Sequence, residues 1–308
     1  MSLLQTSLNK AIRRRDKLCQ VTNAMRLVNG QGDHLDGLLI DRYDKHIHVQ
    51  ILSGHWNKHT DEISGLLTSA MPVDFMIVKA RQGLDVKVQI IKGDDPKTII
   101  VENGLKFEVN LNDGLNCGLF LDMRRNRLLL AQASKHMKVL NGFAYSCSFG
   151  VYACSRGARE IINVDISRKI LCRGQINYQL NGLSSSDSDF VVADTATYLK
   201  RAFKKENFFD VIVLDPPSFA RHGAKVFQVK RDLPELIALA VAVLNPQGML
   251  FVSTNYSEID HAYLERILAL GSNGRGVEHV QRVGQDDDFA GSNRFKESHL
   301  VGLWVKFL

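Results

Sequence analysis

Apolar and polar residues follow two different rhythms along the chain. Between residues 19 and 103 the rhythm is that of a small α+β unit, in which a helix-like pattern over 61–69 lies between two strand-like runs. Further strand-like runs follow, separated by turn-rich sequence around Pro96. The predicted strands of this region are 47–52, 74–79, 87–92 and 98–101. The order strand, helix, strand, strand, strand predicts a small cap domain.

From about residue 112 onward, short apolar runs alternate with helical patterns. The predicted strands are 138–140, 160–164, 189–193, 210–214 and 248–253, with helices such as 168–180 and 234–244. This alternation predicts βαβ units and a mainly parallel sheet. Two last strand-like runs, 277–282 and 299–307, have no helix-length spacer, which predicts an antiparallel final strand. The predicted domains are a basic N-terminal helix at 1–18, the α+β cap at 19–111 and an α/β domain at 112–308.

Composition indicates a globular protein of one large or two ordinary domains, with 45% hydrophobic and 23% charged residues among 308. No apolar stretch reaches the length of a membrane span, and the chain start lacks the pattern of a secretory signal. The five cysteines are odd in number and form no C-x-x-C pair. Reduced thiols and a cytoplasmic location are the simpler interpretation.

Positive charge is concentrated at the start of the chain. The net charge is +6, and residues 1–30 carry six Lys and Arg residues against Asp16 alone. Such a cluster is expected where a protein contacts nucleic-acid phosphates, and it predicts RNA binding by Arg13, Arg14, Arg15 and Lys17. A solvated helix face is the alternative interpretation.

The most informative short motif is Asp215-Pro216-Pro217, which with Ser218 and Phe219 follows the buried strand-like run 211–214. A parallel strand delivers its last residues to the ligand-binding edge of an α/β sheet. Two prolines fix φ and remove two backbone donors, so Asp215 and the nearby carbonyls form a stiff, acceptor-rich lip. The Phe219 ring is placed to stack on a planar base. The alternative is an ordinary loop with a tight proline turn.

Acidic residues also end the preceding strands. Asp165 is placed to accept from ribose hydroxyls, and Asp194 to accept the exocyclic amine of adenine. Each has an alternative role as a helix N-cap, but acids at three successive strand ends favour one shared site. The turn 141–150 exposes backbone N–H groups at a helix start. It lacks the G-x-G-x-x-G spacing, which disfavours an NAD-dependent dehydrogenase.

Three ordered motifs carry a family resemblance: 118–127 (Gly-Leu-Phe-Leu-Asp-Met-Arg-Arg-Asn-Arg), Asn141-x-Phe143-x-Tyr145-Ser146, and 215–219. With Arg26-Leu27-Val28-Asn29-Gly30-x-Gly32-Asp33, the chain resembles the bacterial 23S rRNA base methyltransferases that modify cytosine C5 or guanine N7. The resemblance implies a class I methyltransferase fold, with a seven-stranded, mainly parallel sheet and an antiparallel C-terminal strand. It also implies that the chain binds RNA and the cofactor S-adenosyl-L-methionine. The implied cofactor-binding residues are Asp122, Arg124, Phe143, Tyr145, Ser146, Cys147, Ser148, Asp165, Ile166, Asp194 and Asp215.

Two residues depart from the family pattern. Cys147 stands where glycine is usual, which predicts an altered backbone approach to the cofactor's methionine end. Thr254 stands where cytosine-C5 enzymes have a nucleophilic cysteine, whose thiolate activates the pyrimidine ring. Ser253-Thr254-Asn255 is closer to the Ser-Asn-Asn of the guanine-N7 branch, whereas Glu297-Ser298-x-Leu300 is more like the cytosine branch.

These departures favour direct methyl transfer to a base nitrogen, guanine N7 first, with catalytic residues Asp215, Pro216, Pro217 and Phe219. A cytosine-C5 enzyme and a catalytically inactive cofactor- and RNA-binding module are the alternatives. Full-length cytosine-C5 relatives begin with an RNA-binding PUA domain, for which this chain has no room, so the basic N-terminus and cap are expected to bind the RNA. The histidines, such as His46-x-His48, have no completing ligands, and no metal site is predicted.

Overall fold

The computed structural model describes residues 2–82, 85–114, 116–222, 225–291 and 299–308. The chain forms two compact units: unit 1 contains Met1–Arg124 and Asp286–Ser298, and unit 2 contains Arg125–Gln285 and His299–Leu308. The predicted domain borders at residues 18 and 111 stay predictions. The apolar pattern does not indicate that a segment near the C-terminus belongs to unit 1.

Unit 1 is built on a five-stranded sheet with the order β1-β2-β3-β4-β5. Its strands are β1 (Ala24–Asn29), β2 (Leu38–Tyr43), β3 (His46–Ile51), β4 (Phe75–Gln82) and β5 (Asp85–Lys92). The neighbours β3 and β4 are parallel and are joined through α2 (Thr60–Ala70), whereas the other pairs are antiparallel. Helix α1 (Leu3–Arg14) buries Leu8 and Ala11 in the core of this sheet. A separate hairpin is formed by β6 (Lys97–Glu102) and β7 (Leu105–Asn110).

Strands β1, β2 and β7 were not predicted from the sequence. In β1 and β2 the residues that face the core are interspersed with Arg26, Asp41 and Arg42, which obscures the apolar run. Arg26 and Asp41 are paired with each other across the two strands, so their charges are compatible with a largely buried sheet.

Unit 2 contains a seven-stranded sheet with the order β10-β9-β8-β11-β14-β16-β15. Its strands are β8 (Lys138–Gly142), β9 (Glu160–Asp165), β10 (Phe190–Val192), β11 (Phe209–Leu214), β14 (Leu244–Thr254), β15 (Val277–Val283) and β16 (Val301–Phe307). The first five in this order are parallel, while β16 lies antiparallel to both β14 and β15. A separate hairpin, β12 (Phe219–His222) and β13 (Lys225–Gln228), follows β11. The predicted mainly parallel sheet with an antiparallel C-terminal strand is confirmed.

Helices connect these strands and cover the sheet. They are α3 (Arg124–Ala133), α4 (Ser148–Ser155), α5 (Arg168–Leu180), α6 (Thr195–Lys204), α7 (Val229–Ala242) and α8 (His261–Gly271). The main core joins apolar residues of the central strands, such as Ile212 and Leu250, to Leu199 of α6, Ile237 of α7 and Leu264 of α8. No helix within the described residues has the length and apolar character needed to cross a bilayer.

Helix α7 begins five residues earlier than predicted, because Pro234 lies inside it instead of at its start. A proline has no N–H to donate to the carbonyl four residues before it, which here is that of Lys230. The hydroxyl of Tyr263, in α8, donates to the Lys230 carbonyl at 3.2 Å. This side chain replaces the missing backbone bond, so the proline is accommodated within the helix.

Candidate functional site

The carboxyl ends of the parallel strands in unit 2 meet at one edge of the sheet. The strand register aligns Gly142 with Val164 and with Leu214, and it aligns Leu214 with Val252. The segments that follow these strands therefore emerge side by side. They contain residues 143–147, Asp165, Asp194, Asp215 and Asn255. This edge is where open α/β sheets bind their ligands.

The turn after β8 has an unusual backbone. Phe143, Tyr145 and Cys147 all have left-handed φ angles, of 56°, 48° and 60°. Non-glycine residues rarely adopt this conformation, which costs about 1–2 kcal/mol per residue. Tertiary hydrogen bonds hold the turn, since the N–H of Ala144 donates to Val164 O at 3.0 Å and that of Tyr145 donates to Asp165 Oδ2 at 3.0 Å. The turn is thereby fastened to the end of β9.

Cys147 retains the backbone that a glycine would adopt, and its side chain lies inside the protein. The residue is fully buried, and a Cβ added to Gly174 of α5 would lie 2.3 Å from the Cys147 sulfur. Gly174 thus leaves the space that the thiol occupies. Burial raises the pKa of the Cys147 thiol well above its usual value. The Cys147 side chain thus packs against α5, and the expected change in backbone approach to the cofactor stays a prediction.

Ser146 and Ser148 complete this turn. Ser146 is buried, and its carbonyl accepts a hydrogen bond from Asn177 Nδ2 of α5 at 3.0 Å. Ser148 opens α4, whose N-cap residue Cys147 forms no side-chain capping bond. The Cys147 side chain therefore does not cap the start of α4, and backbone N–H groups at a helix start favour an anionic partner.

Two carboxylates stand at adjacent strand ends. Asp165 accepts the N–H of Tyr145 on Oδ2 and that of Ser167 on Oδ1, at 3.0 and 2.9 Å. Each carboxylate oxygen can accept a second hydrogen bond. Asp194 is the N-cap of α6, where its Oδ1 accepts both the N–H and the hydroxyl of Thr197. The described residues form no hydrogen bond to Asp194 Oδ2. The N-cap role and an acceptor role toward a ligand are therefore compatible.

The ends of β11 and β14 are joined by two hydrogen bonds between side chains. The buried Ser253 hydroxyl donates to Asp215 Oδ1 at 2.7 Å, and the Ser218 hydroxyl donates to Asn255 Oδ1 at 2.6 Å. Pro216 is buried and Pro217 is exposed, which gives the lip a rigid base. The Phe219 residue is 57% exposed, so its ring is available as a stacking surface. The structure brings this predicted group together.

Thr254 is buried and already engaged. It is fully inaccessible to solvent, and its Oγ1 accepts the N–H of Tyr256 at 3.1 Å. Its hydroxyl serves the local turn after β14. The motif Glu297-Ser298-x-Leu300 falls partly outside the described residues, since 292–298 are not among them.

A cavity of about 500 Å³ borders Asp194, one of the strand-end acids. Phe143, Asp194 and Thr197 line one part of it, and Phe227 and Arg231 line another. The rings of Phe143 and Phe227 are 5.8 Å apart. Sequence patterns did not point to Phe227 or Arg231, because Phe227 lies in β13 and Arg231 lies in α7, and only the folded structure brings the Phe227 ring to Phe143.

Arg124 of the predicted cofactor set has a structural role in unit 1. It is 2% exposed, and its guanidinium is paired with the carboxylates of Glu102, Asp286 and Asp288. Burial alone would lower the pKa of Arg124, but these carboxylates raise it by more, so the group stays charged. Arg124 therefore has an ion-pair role, and its assignment to the cofactor stays a prediction. Asp122 is half-buried in the same unit, and it adds to the electrostatic stabilisation of Arg26.

The basic cluster of the N-terminus contains one buried member. Arg15 is 1% exposed and forms two hydrogen bonds of 2.7 Å with the Asp33 carboxylate. Arg15 therefore does not face solvent, which corrects its prediction as an RNA contact. Arg13 and Lys17 are exposed. Arg14 keeps 46% of its side chain exposed while it contacts Asp33.

Sequence reasoning missed the segment 286–290 as a part of unit 1. Asp288 Oδ2 accepts the N–H of Arg26, and the Ala290 carbonyl accepts from Asn29 Nδ2. A Cβ on Gly32 would lie 1.7 Å from the Ala290 carbonyl oxygen, so only glycine fits there. The motif that begins at Arg26 is thus explained by packing. The run of three acids at 286–288 is the sequence signal from which charged partners could have been predicted.

The strand ends of unit 2 suit a purine nucleoside that carries an amino-acid group. Asp165 and Asp194 keep acceptor capacity on neighbouring strands, Ile166 offers a 39% exposed apolar surface, and the N-cap residue Cys147 forms no side-chain capping bond at the start of α4. These groups match ribose hydroxyls, an exocyclic amine, a flat ring and a carboxylate respectively.

Comparisons with known proteins agree with this chemistry. Residues 68–293 match the model of a family described as S-adenosylmethionine-dependent methyltransferase. The chain is 32% identical over 296 residues to the ribosomal RNA large subunit methyltransferase I of Tolumonas auensis, covering 92% of this chain and 75% of that protein. It is 34% identical over 263 residues to the putative ribosomal RNA large subunit methyltransferase YwbD of Bacillus subtilis, covering 82% and 66%.

A solved structure is similar over nearly the whole chain. It is that of SMU.776, a putative methyltransferase complexed with SAH, with a TM-score of 0.88 and 27% sequence identity. The match covers 99% of this chain and 82% of that one.

Proposed function

The chain belongs to the S-adenosylmethionine-dependent methyltransferase family, and from that premise we propose that it methylates a base nitrogen of large-subunit ribosomal RNA, guanine N7 first. Relatives that share about a third of its residues are named as ribosomal RNA large subunit methyltransferases, which supports the substrate class. The atom and the base are argued from the strand ends of unit 2.

The cofactor is held by residues at three places. In this proposal Asp165 binds the ribose, Asp194 and Ile166 bind the adenine, and the turn from Phe143 to Ser148 binds the amino-acid end. Bound S-adenosylmethionine supplies a methyl group on a positively charged sulfur, which a lone pair can attack. The side chains contribute by fixing position, because alignment of the reacting atoms lowers the barrier. Asp215 and the Phe219 ring hold the base beside the cofactor.

The observation that carries the choice of a nitrogen acceptor is Thr254. Methylation of cytosine C5 needs a nucleophile that adds to the ring, usually a thiolate. Thr254 is buried with its hydroxyl already bonded to the Tyr256 N–H, so it does not supply one. A thiol is present nearby in Cys147, but it is buried against α5 and its pKa is raised. A guanine N7 carries its own lone pair and needs no covalent adduct.

RNA contact in this proposal uses the exposed positive charge of the N-terminus. Arg13, Arg14 and Lys17 present cationic groups to solvent, and such groups bind phosphates without regard to sequence. The substrate therefore gains affinity from the backbone, while base choice is made at the strand ends.

Nucleoside mass spectrometry tests the proposal. Unmodified 23S rRNA transcript is incubated with the chain and isotopically labelled cofactor, and the expected product is 7-methylguanosine. A chain with all five cysteines replaced should retain transfer, and RNA containing 5-fluorocytosine should form no stable adduct with the parent chain. Labelled 5-methylcytidine, or an adduct through any cysteine, would establish the cytosine-C5 alternative. Cofactor binding without transfer to any ribosomal RNA would establish an inactive binding module.

A further inference from the structure

Asn255 has an amide that is hydrogen-bonded to Ser218, the residue before the exposed Phe219. Its Oδ1 accepts the Ser218 hydroxyl at 2.6 Å, and Ser218 directly precedes Phe219 in the chain. The carbonyl oxygen is therefore engaged, and the described residues form no hydrogen bond with Nδ2. Because Asn255 is exposed, this leaves an oriented amide donor at the surface of the strand ends.

The bond between Ser218 and Asn255 is one of two between the same strand ends. The other joins Ser253 to Asp215 at 2.7 Å. Strands β11 and β14 are also paired in register up to Leu214 and Val252. Two side-chain bonds in addition to this pairing hold the amide relative to the base-stacking ring, and a fixed donor discriminates between bases better than a mobile one.

We propose that the Asn255 amide donates to O6 of the target guanine and so selects guanine over adenine. This inference rests on the proposed methylation of guanine N7. The edge of guanine that carries N7 also carries the acceptor O6, whereas adenine has an amino donor in that position. The Nδ2 group is a donor, so it bonds to the first and opposes the second. The bond at O6 leaves the N7 lone pair available for the methyl group.

Alanine at Asn255 tests the donor directly. Asn255→Ala should lower kcat/KM on 23S rRNA transcript by about tenfold or more, with the affinity for S-adenosylmethionine unchanged by calorimetry. Ser218→Ala should produce a smaller loss in the same direction, because it frees the amide to rotate. Ser257→Ala, an exposed residue of the same loop, is the matched control and should behave as the parent chain.

Transcript that contains 6-thioguanosine separates base contact from a structural role, since sulfur is a poorer hydrogen-bond acceptor than oxygen. The parent chain should methylate this RNA more slowly than normal RNA, and the Asn255→Ala variant should show no such difference. Two results would overturn the inference: methyl transfer by Asn255→Ala within twofold of the parent chain, or an equal slowing by 6-thioguanosine in both chains. In either case, production of 7-methylguanosine would still uphold the proposed function. A product other than 7-methylguanosine would remove both.

Discussion

Charged residues serve opposite purposes in the two units. In unit 1, Arg15 and Arg124 are almost fully buried and are paired with carboxylates of Asp33 and Asp288. At the strand ends of unit 2, acids such as Asp165 are only half-buried and keep acceptor capacity. Charge on its own therefore does not indicate a ligand site. What separates the two regions is whether the charged group is buried against partners of the same chain or keeps capacity for a further partner.

The largest effect that this comparison predicts is on stability, through Arg124. Arg124→Met should lower the free energy of unfolding by about 3–5 kcal/mol, because it leaves the buried carboxylates of Glu102 and Asp288, and the partly exposed one of Asp286, without their cation. Arg125→Met, at the neighbouring exposed position, should change it by less than about 0.5 kcal/mol. Urea denaturation of the two variants measures the difference. Equal stabilities would show that the buried network of unit 1 contributes little.

Asp215 should affect catalysis without affecting folding. Asp215→Ala should reduce methyl transfer by about two orders of magnitude, because the base loses the group that positions it. The exposed Asp187→Ala variant of the same unit is the control and should retain full transfer. Initial rates with labelled cofactor test this, beside circular dichroism to verify folding. Full activity of Asp215→Ala would show that the stiff lip after β11 has no part in orienting the base.

Asp165 should affect cofactor affinity. Asp165→Ala should weaken S-adenosylmethionine binding by about 1.5–3 kcal/mol, because a charge-assisted bond to the ribose is lost. The turn that contains Tyr145 also loses an acceptor for its N–H. Titration calorimetry gives the value, with Asp187→Ala again as the control. Unchanged affinity would mean that the Asp165 carboxylate serves only the turn, as the acids of unit 1 serve their own unit.

Removing the exposed cations of the N-terminus should give the smallest effect per residue, and that effect should be on RNA binding. Replacing Arg13, Arg14 and Lys17 together with alanine should weaken RNA binding and flatten its salt dependence, by about one unit of slope for each lost phosphate contact. Cofactor affinity should not change. Filter binding across a salt series supplies the slope. An unaltered slope would identify the cluster as a solvated helix face.

The sequence predicted the sheet of unit 2 because its strands are short apolar runs bounded by turns. It also predicted that Asp165, Asp194 and Asp215 share an edge, since parallel strands end together. It did not predict β1 and β2, where Arg26 and Asp41 interrupt the apolar pattern and are paired only in the folded sheet. Arg15 and Arg124 were assigned to ligands because the partners that bury them are distant in sequence. Contacts of that kind leave no local pattern.

Residues 286–290 belong to unit 1, and this has a consequence for the order in which unit 1 is completed during synthesis. Asp286 and Asp288, two of the carboxylate partners of Arg124, follow residues 125–285 of unit 2 in the sequence, so the ribosome adds them after that part of unit 2. Until then a nascent unit 1 has Glu102 as the only one of these three acids. Chains that terminate before residue 286 would leave the guanidinium short of negative charge. Unit 1 can therefore be completed only after the part of unit 2 that precedes residue 286 has been translated.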